Sequence, residues 1–304
     1  MPSRIEVIIN ATAGAGSQSA WIDNVTEKFR SRGMEVNIKL ARDGAELVEM
    51  AQRAVAEKPQ LIVAGGGDGT LNAVAGALVG SDIAFGILPL GTLNHFAKDL
   101  HIPLDLDQAT QNIVAGHTIK VDVGEVNDRI FLNNSSLGIY PRIVLDREKG
   151  QKQWGLGKWP AFVWATLTTL RLYPFMRLRL SLNGKEQEHR TPCVFIGNNE
   201  YLMEGFNIGE RECLNAGQLS LYVVQRTGRL GLLRLALRAL FGRLRQAKDF
   251  EAFTAKEILI ETRHKHLRVA TDGEITVMST PLRYRVRPGA LRVIVPENPE
   301  TNGG

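Results

Sequence analysis

Cysteine is almost missing from this chain: 304 residues hold only Cys193 and Cys213, with no CxxC spacing. That scarcity excludes a disulfide framework and a cysteine-ligated metal, and it fits a reduced compartment. Long apolar runs are missing too. The longest charge-free apolar stretch, Trp159 to Leu170, falls short of the roughly 20 residues a bilayer helix needs. The start, MPSRIEVIIN, lacks the basic and apolar regions of a secretory leader and passes straight into strand-like alternation, so a cytoplasmic location is expected. Acid is in mild deficit, 32 Asp+Glu against 37 Lys+Arg, leaving a formal charge of +5. A surplus of that sign suits an anionic partner, whether nucleotide, nucleic acid or phospholipid, and does not select among them.

What is present is an ordinary globular composition, 44% hydrophobic and 23% charged, in a chain long enough for two domains. The first third alternates strand and helix signals, as a parallel sheet covered by helices requires. Ile5, Val7 and Ile9 alternate ahead of Asn10, and Ala20 to Arg30 reads as a helix. Val36 to Leu40 is a strand, and Ala45 to Ala56 a helix with Leu47, Val48, Ala51 and Val55 on one side. Then come a strand at Leu61 to Ala64, a helix from Thr70 with Leu71, Val74 and Leu78 inward, and a strand at Ala84 to Leu88. After about residue 118 the pattern becomes strands joined by turns, including IKVDVGEV, RIFLNNSSLG, PCVFIGNN, HLRVATDGEITV, LRYRVRPG and LRVIVP. Trp154 to Tyr173 and Arg229 to Lys248 interrupt them as helices. The fold expected is an α/β nucleotide-binding domain over 1–118 and a mainly antiparallel, β-sandwich-like domain over 119–284, with 285–304 free to return to the first domain. A catalytic cleft between the two is the expected site.

The stretch LIVAGGGDGTLN, residues 61 to 72, carries the strongest local signal. It delivers a strand to a helix N-terminus, where free backbone N–H groups and the positive end of the helix dipole suit phosphate. Glycine permits positive φ and close approach of an anion to the backbone. Gly65, Gly66, Gly67, Asp68, Gly69 and Thr70 together exceed what a simple turn needs, although a turn alone accommodates one or two of them. The lysine of a Walker-type loop is absent, so phosphate would be held differently. A second stretch, ILPLGTLNHFAKDL from Ile87, repeats the logic, and Thr92 or Asn94 could cap a short helix there. Following the next parallel strand, it would lie beside the first loop at the carboxyl edge of the sheet.

GGGDGTLN, PLGTLNHFA, VDVG at Val121, FLNNSSLG at Phe131 and DGE at Asp272 occur here in an order that resembles the diacylglycerol kinase and sphingosine kinase superfamily. Within it the similarity runs to the bacterial soluble lipid kinases, over nearly the whole chain. The resemblance implies transfer of the γ-phosphate of ATP, with Mg2+, to a lipid hydroxyl. It assigns Gly65 to Asn72 to the ATP phosphates, places Thr92 at the nucleotide, and puts Asn10 in the same site, although Ala11 stands where relatives have proline. Glu274 of DGE would be the general base. Asp272-Gly273 also reads as a hairpin turn, and a turn can present the following carboxylate. Asp68 and Asp122 match acidic positions that organise Mg2+ and water, oxygen donors suited to that hard cation. An auxiliary structural metal in the family uses an aspartate and two backbone carbonyls. The carbonyls fall on Cys213 and Gln218 here, but Ala216 replaces the aspartate, so that site is expected to be incomplete. His95 likewise replaces an acid, with no second histidine at ligand spacing.

Arg229 to Lys248 is leucine-rich, has six cations and no acid, and could lie on an anionic membrane or pack on the second domain. It lacks aromatic interleaving, and no nucleic-acid motif surrounds it, so nucleic acid is not an expected partner. Aromatics at Trp154, Trp159, Phe162, Trp164 and Tyr173 suit an acyl entrance or an ordinary core. Two other readings stand beside the lipid kinase: an NAD kinase, which shares the GGDGT loop, and a non-catalytic nucleotide- or lipid-binding protein. The identity of the lipid and the oligomeric state, a dimer included, stay open.

Overall fold

The computed structural model describes residues 3–11, 18–138, 175–182, 184–201, 211, 213–224 and 250–297. The helices expected over 154–173 and 229–248 lie outside the described residues. The chain forms two compact units, Met1–Val123 with Pro288–Gly304, and Gly124–Arg287.

The first unit is the expected α/β layer structure. Strands β1 (Ser3–Asn10), β2 (Met34–Ala41), β3 (Leu61–Gly66) and β4 (Ala84–Pro89) alternate with helices α1 (Gln18–Arg30), α2 (Gly44–Ala56) and α3 (Asp68–Leu78). All four strands are parallel, in the order β2-β1-β3-β4. β3 and β4 are buried along their whole length, as strands covered on both faces must be. Burying each Val, Ile or Leu side chain contributes roughly 1.5–3 kcal/mol relative to exposure. Glu6 is also fully buried in β1, where its carboxylate meets Lys39 Nζ at 2.9 Å and accepts from Asn37 Nδ2 at 2.9 Å. A charge survives in a central strand because it is paired and hydrogen-bonded.

Several local expectations change. On α2 the inward residues are Leu47, Ala51 and Ala54, while Val48 is exposed. α3 begins at Asp68, not Thr70, and β3 already includes Gly65 and Gly66. A five-residue helix, α4 (His95–Asp99), and a longer one, α5 (Leu106–Ala115), follow β4. α5 is capped by Asp105, whose carboxylate accepts from Gln108 N, and closed by Gly116 at φ 74°. That side-chain bond and left-handed glycine are the usual start and stop of a helix.

The second unit packs two antiparallel sheets. Strands β5 (Thr118–Val126) and β16 (Leu282–Ile294) belong in part to each unit, and β6 (Arg129–Phe131) folds back on β5. In the second unit β16 pairs with β13 (Glu257–Thr262), which pairs with β8 (Met176–Leu182) and then β9 (Lys185–Thr191). The other sheet runs β12 (Phe250–Ala255), β11 (Leu219–Val224), β10 (Cys193–Asn198), β7 (Asn134–Gly138), β14 (His266–Thr271) and β15 (Glu274–Ser279). Side chains of both sheets share one core, with Leu180, Ile258 and Tyr284 from the first and Leu137, Ile196 and Val269 from the second. This is the sandwich expected of that region. LRYRVRPG and LRVIVP are one strand rather than two: β16 continues through Gly289, whose φ of 55° lets the chain bend after Pro288 without ending the strand.

Candidate nucleotide and acid-base sites

In the first unit the strand order places a switch between β1 and β3, since β1 runs next to β2 on one side and β3 lies on the other. Ligands of open α/β sheets bind outside the carboxyl ends of strands at such a point. Asn10 ends β1, the glycine loop ends β3, and Asn10 Nδ2 lies 3.4 Å from Thr70 Oγ1. The N-cap of α3 is Gly67, and no side chain caps it. Among the described residues no side-chain hydrogen bond closes the positive end of this 11-residue helix, and the Asp68 carboxylate in its first turn is engaged by the amides of His95 and Phe96 instead.

The glycines serve close approach; none from Gly65 to Gly69 has positive φ, which corrects half of the conformational argument made for them. A side chain at Gly66 would collide with Thr70, its Cβ falling 2.4 Å from Thr70 Oγ1. A Cβ at Gly91 would fall 2.4 Å from Gly67 Cα and 2.6 Å from Asn94 Oδ1. The loops after β3 and β4 thus touch backbone to backbone. Leu90 N donates to Gly66 O at 3.0 Å, extending the strand pairing into the loops.

Asp68 fastens the two loops. Its Oδ2 accepts from His95 N at 3.2 Å and its Oδ1 from Phe96 N at 3.1 Å, so it caps α4 from across the site. Neither Thr92 nor Asn94 performs that cap. Thr92 is exposed, and Asn94 has φ 49° and makes no cap bond to α4. Asn94 instead accepts from Gly91 N at 3.0 Å and donates to Gly91 O at 2.9 Å, which moulds the PLGT loop. Asn72 is buried on α3, and among the described residues its amide oxygen has no partner. Asp122 is buried and accepts from Gly289 N at 2.8 Å. Among the described residues no group of three or more His, Cys, Asp or Glu gathers to hold a metal. Asp68 is half-buried with one amide on each oxygen, leaving lone pairs for a hydrated Mg2+, so it fits that ion. Asp122, shut from solvent and tied to a backbone amide, fits it less directly.

In the second unit, Asp272 and Gly273 have φ of 47° and 85° and join β14 to β15 in a two-residue turn, as the DG pair predicts. The turn sends the Asp272 carboxylate inward. It accepts from Leu132 N at 2.7 Å, Asn133 N at 2.9 Å and Asn134 N at 3.0 Å, pinning the FLNN break between β6 and β7. Burial pushes its carboxyl up to about 6, against the opposing pull of those three amides and of Arg211. Two residues on, Glu274 is exposed, and its Oε2 meets Arg129 at 2.5 Å, while the other end of that guanidinium donates to Thr276 Oγ1 at 2.6 Å.

Sequence reasoning missed Arg211. It is buried, and its guanidinium donates to Leu132 O at 2.7 Å, Asn198 O at 3.1 Å and Asn133 Oδ1 at 2.9 Å. The visible signal was the pair of Asn-Asn steps in apolar strands, 133–134 and 198–199, since buried amides and carbonyls need partners. Asn199 engages one of the two carbonyls expected at the auxiliary metal: its N–H donates to Gln218 O at 3.0 Å, and its Oδ1 accepts from Ala216 N at 3.1 Å. Cys213 is an exposed free thiol.

The chain thus joins a parallel α/β unit, with a helix N-terminus at its switch point, to a two-sheet unit carrying a DGE turn. Residues 4–126 match the diacylglycerol kinase catalytic domain, and residues 148–295 match the YegS C-terminal NAD kinase beta sandwich-like domain. The first region is thus similar to the diacylglycerol kinase catalytic domain and the second to the YegS C-terminal domain, and the two matches together span most of the chain. The chain is 31% identical over 140 residues to a "Diacylglycerol kinase" of Staphylococcus carnosus (strain TM300), covering 45% of this chain and 46% of that one. It is 35% identical over 136 residues to a protein named "Probable lipid kinase YegS-like" from Klebsiella pneumoniae (strain 342), covering 44% and 46%. The matched part thus spans about half the length of these relatives. The fold is that of a diacylglycerol kinase from Bacillus anthracis str. Sterne, with a TM-score of 0.76, 24% identity, and 97% and 98% of the two chains covered. No described helix is long and apolar enough to cross a membrane.

Proposed function

We propose that this chain is an ATP-dependent lipid kinase that transfers the γ-phosphate to a lipid hydroxyl. The observation that carries it is the uncapped N-terminus of α3 at the β1/β3 switch, walled by a second glycine loop in backbone contact. In this reading Gly65 to Thr70, Asn10, Asn72 and Thr92 hold the nucleotide, and the second unit binds the lipid. Asp68 keeps both loops in register and, together with Asp122, would hold the hydrated Mg2+ that accompanies ATP. That ion supplies charge neutralisation on the phosphates.

Glu274 takes the proton of the lipid hydroxyl. As the proton moves to its carboxylate, the hydroxyl oxygen bonds to the γ-phosphorus, the bond from that phosphorus to the β–γ bridging oxygen breaks, and ADP departs. Among the described residues Oε1 of Glu274 has no hydrogen-bond partner, while Arg129 steadies Oε2. The test is incubation of the chain with labelled ATP, Mg2+ and separate acceptors: diacylglycerol, phosphatidylglycerol, a sphingoid base, ceramide and NAD. Labelled lipid from the parent, and none from Glu274→Gln at unchanged ATP affinity, is the expected result. Labelled NAD without labelled lipid would establish the NAD kinase reading instead, and ATP binding with no labelled acceptor the non-catalytic one.

A further inference from the structure

Strands β8, β9 and β13 in the second unit present a face with an unusual charge arrangement. Cross-strand partners share a face, and like charges set directly opposite each other repel. Arg177 lies opposite Arg190 in the β8–β9 register. Arg263 follows Thr262, itself opposite Leu178, so it enters the same level from the third strand. Two residues further in, Arg179 lies opposite Glu188 and Glu261 and has ion pairs with both, at 3.7 and 3.8 Å.

The two acids nearest this level, Glu188 and Glu261, are therefore spent on Arg179. Arg177 and Arg263 have no carboxylate partner among the described residues, and the contact of Arg190 is with a ring, its guanidinium standing 5.1 Å from the centre of Phe175. All four arginines line one cavity of about 610 Å3 together with Glu188 and Glu261. That volume lies in the range of small-molecule pockets. Three exposed guanidiniums, two on adjacent strands and Arg263 just beyond the end of the third, leave repulsion that a doubly charged oxyanion would relieve, and planar guanidinium forks match its oxygens.

We infer that Arg177, Arg190 and Arg263 form a binding site for a phosphate dianion, either free or as the phosphomonoester headgroup of a lipid. The site is built wholly within the second unit and shares no residue with those assigned to ATP or to Glu274. It takes an oxyanion of two charges in preference to chloride, because the three arginines converge on one level of the sheet.

The test titrates the full chain calorimetrically with sodium phosphate at pH 8, against sodium chloride of equal ionic strength. Arg177→Glu places a carboxylate opposite Arg190 and should weaken phosphate binding by about tenfold or more, the loss of at least one charge-assisted hydrogen bond. The same variant should melt no lower than the parent in phosphate-free buffer, since a repelling cross-strand pair becomes an attracting one. Lys185→Glu makes the same charge change at the far end of β9 and should leave phosphate affinity unchanged. A second arm measures co-sedimentation with phosphatidylcholine vesicles, with and without phosphatidate. Binding of free phosphate that Arg177→Glu abolishes identifies the soluble anion. Phosphatidate-dependent sedimentation that Arg177→Glu abolishes, without binding of free phosphate, identifies the lipid headgroup. Equal responses of parent and Arg177→Glu in both arms, as from phosphate held at the glycine loop, would overturn the inference, as would no response in either.

Discussion

Asp272 offers a prediction whose sign discriminates between two opposing forces. Its carboxylate collects three backbone amides and feels Arg211, all of which favour the charged form, yet it is enclosed, and burial favours the neutral one. Burial wins here, raising the group from 3.8 to about 6. A folded-state value above the unfolded one means that the native protein holds a proton the unfolded chain has lost between about pH 4 and pH 6. Stability contributed by this group is present at the acid end, falls as pH rises through that window, and is fully lost above about 6. At 1.36 kcal/mol for each factor of ten in proton affinity, the change is about 3 kcal/mol.

Asp272→Asn removes the titration while keeping a side chain of similar shape. Its single carbonyl oxygen can keep the amides of Asn133 and Asn134, while its NH2 group cannot accept from the N–H of Leu132, a cost that does not change with pH and so leaves the slope of the difference intact. The variant should therefore behave as a fixed neutral form. Urea unfolding of both proteins from pH 4 to pH 7.5, followed at the transition of the second unit, isolates the group, because every other titration cancels in the difference. Relative to Asp272→Asn, the parent should lose about 2 kcal/mol between pH 4 and pH 7, the rest of the change falling below pH 4 where the unfolded group is still titrating. A flat difference would refute the reasoning. An opposite slope would do so more severely, since it would show that the three amides and Arg211 outweigh burial.

How far the sequence went depended on whether a feature is local. Alternating strands and helices, the DG turn and the strand-to-helix position of GGGDGT all follow from residues within a few positions of one another, and all were legible. α5 was legible too but went unread: Asp105 before it and Gly116 after it are ordinary start and stop signals. The span of β16 was misread because Pro288-Gly289 resembles a terminator, and only the partners on both sides keep the strand going. The role of the glycines was not legible. Gly66 and Gly91 are small because Thr70 and Gly67 press on them, and the second of these contacts joins loops separated by a whole helix and strand. The same holds for Asp68, whose acceptors' partners lie 27 and 28 residues onward. Its sequence context marks it as an acid near phosphate and says nothing of a cap. Arg211 was hidden for the opposite reason: a single arginine is unremarkable until three buried carbonyl or amide oxygens are found around it.

Gly91→Ala should separate the two phosphate-side loops, because the added Cβ meets the Gly67 backbone, which cannot rotate aside. We expect a loss of roughly 1–3 kcal/mol in chemical denaturation and weaker ATP binding. Gly44→Ala, at the open start of α2, should be neutral or stabilising by up to about 1 kcal/mol, and an equal response of the two variants would refute the packing argument. Asp68→Asn separates a structural role from one in Mg2+ handling. An amide side chain supplies one acceptor where the carboxylate supplied two, so either the His95 or the Phe96 N–H must face an NH2 group, costing about 1 kcal/mol. That loss needs neither ATP nor Mg2+, so it should appear as a lower melting temperature and faster amide exchange at His95 and Phe96 in the protein alone. If the apo protein is unchanged and only Mg2+-dependent ATP binding falls, the cap contributes nothing and Asp68 serves the ion alone. If both change, the residue that organises the ion also holds the two loops together, and its effect on catalysis must be corrected for the displaced PLGT loop.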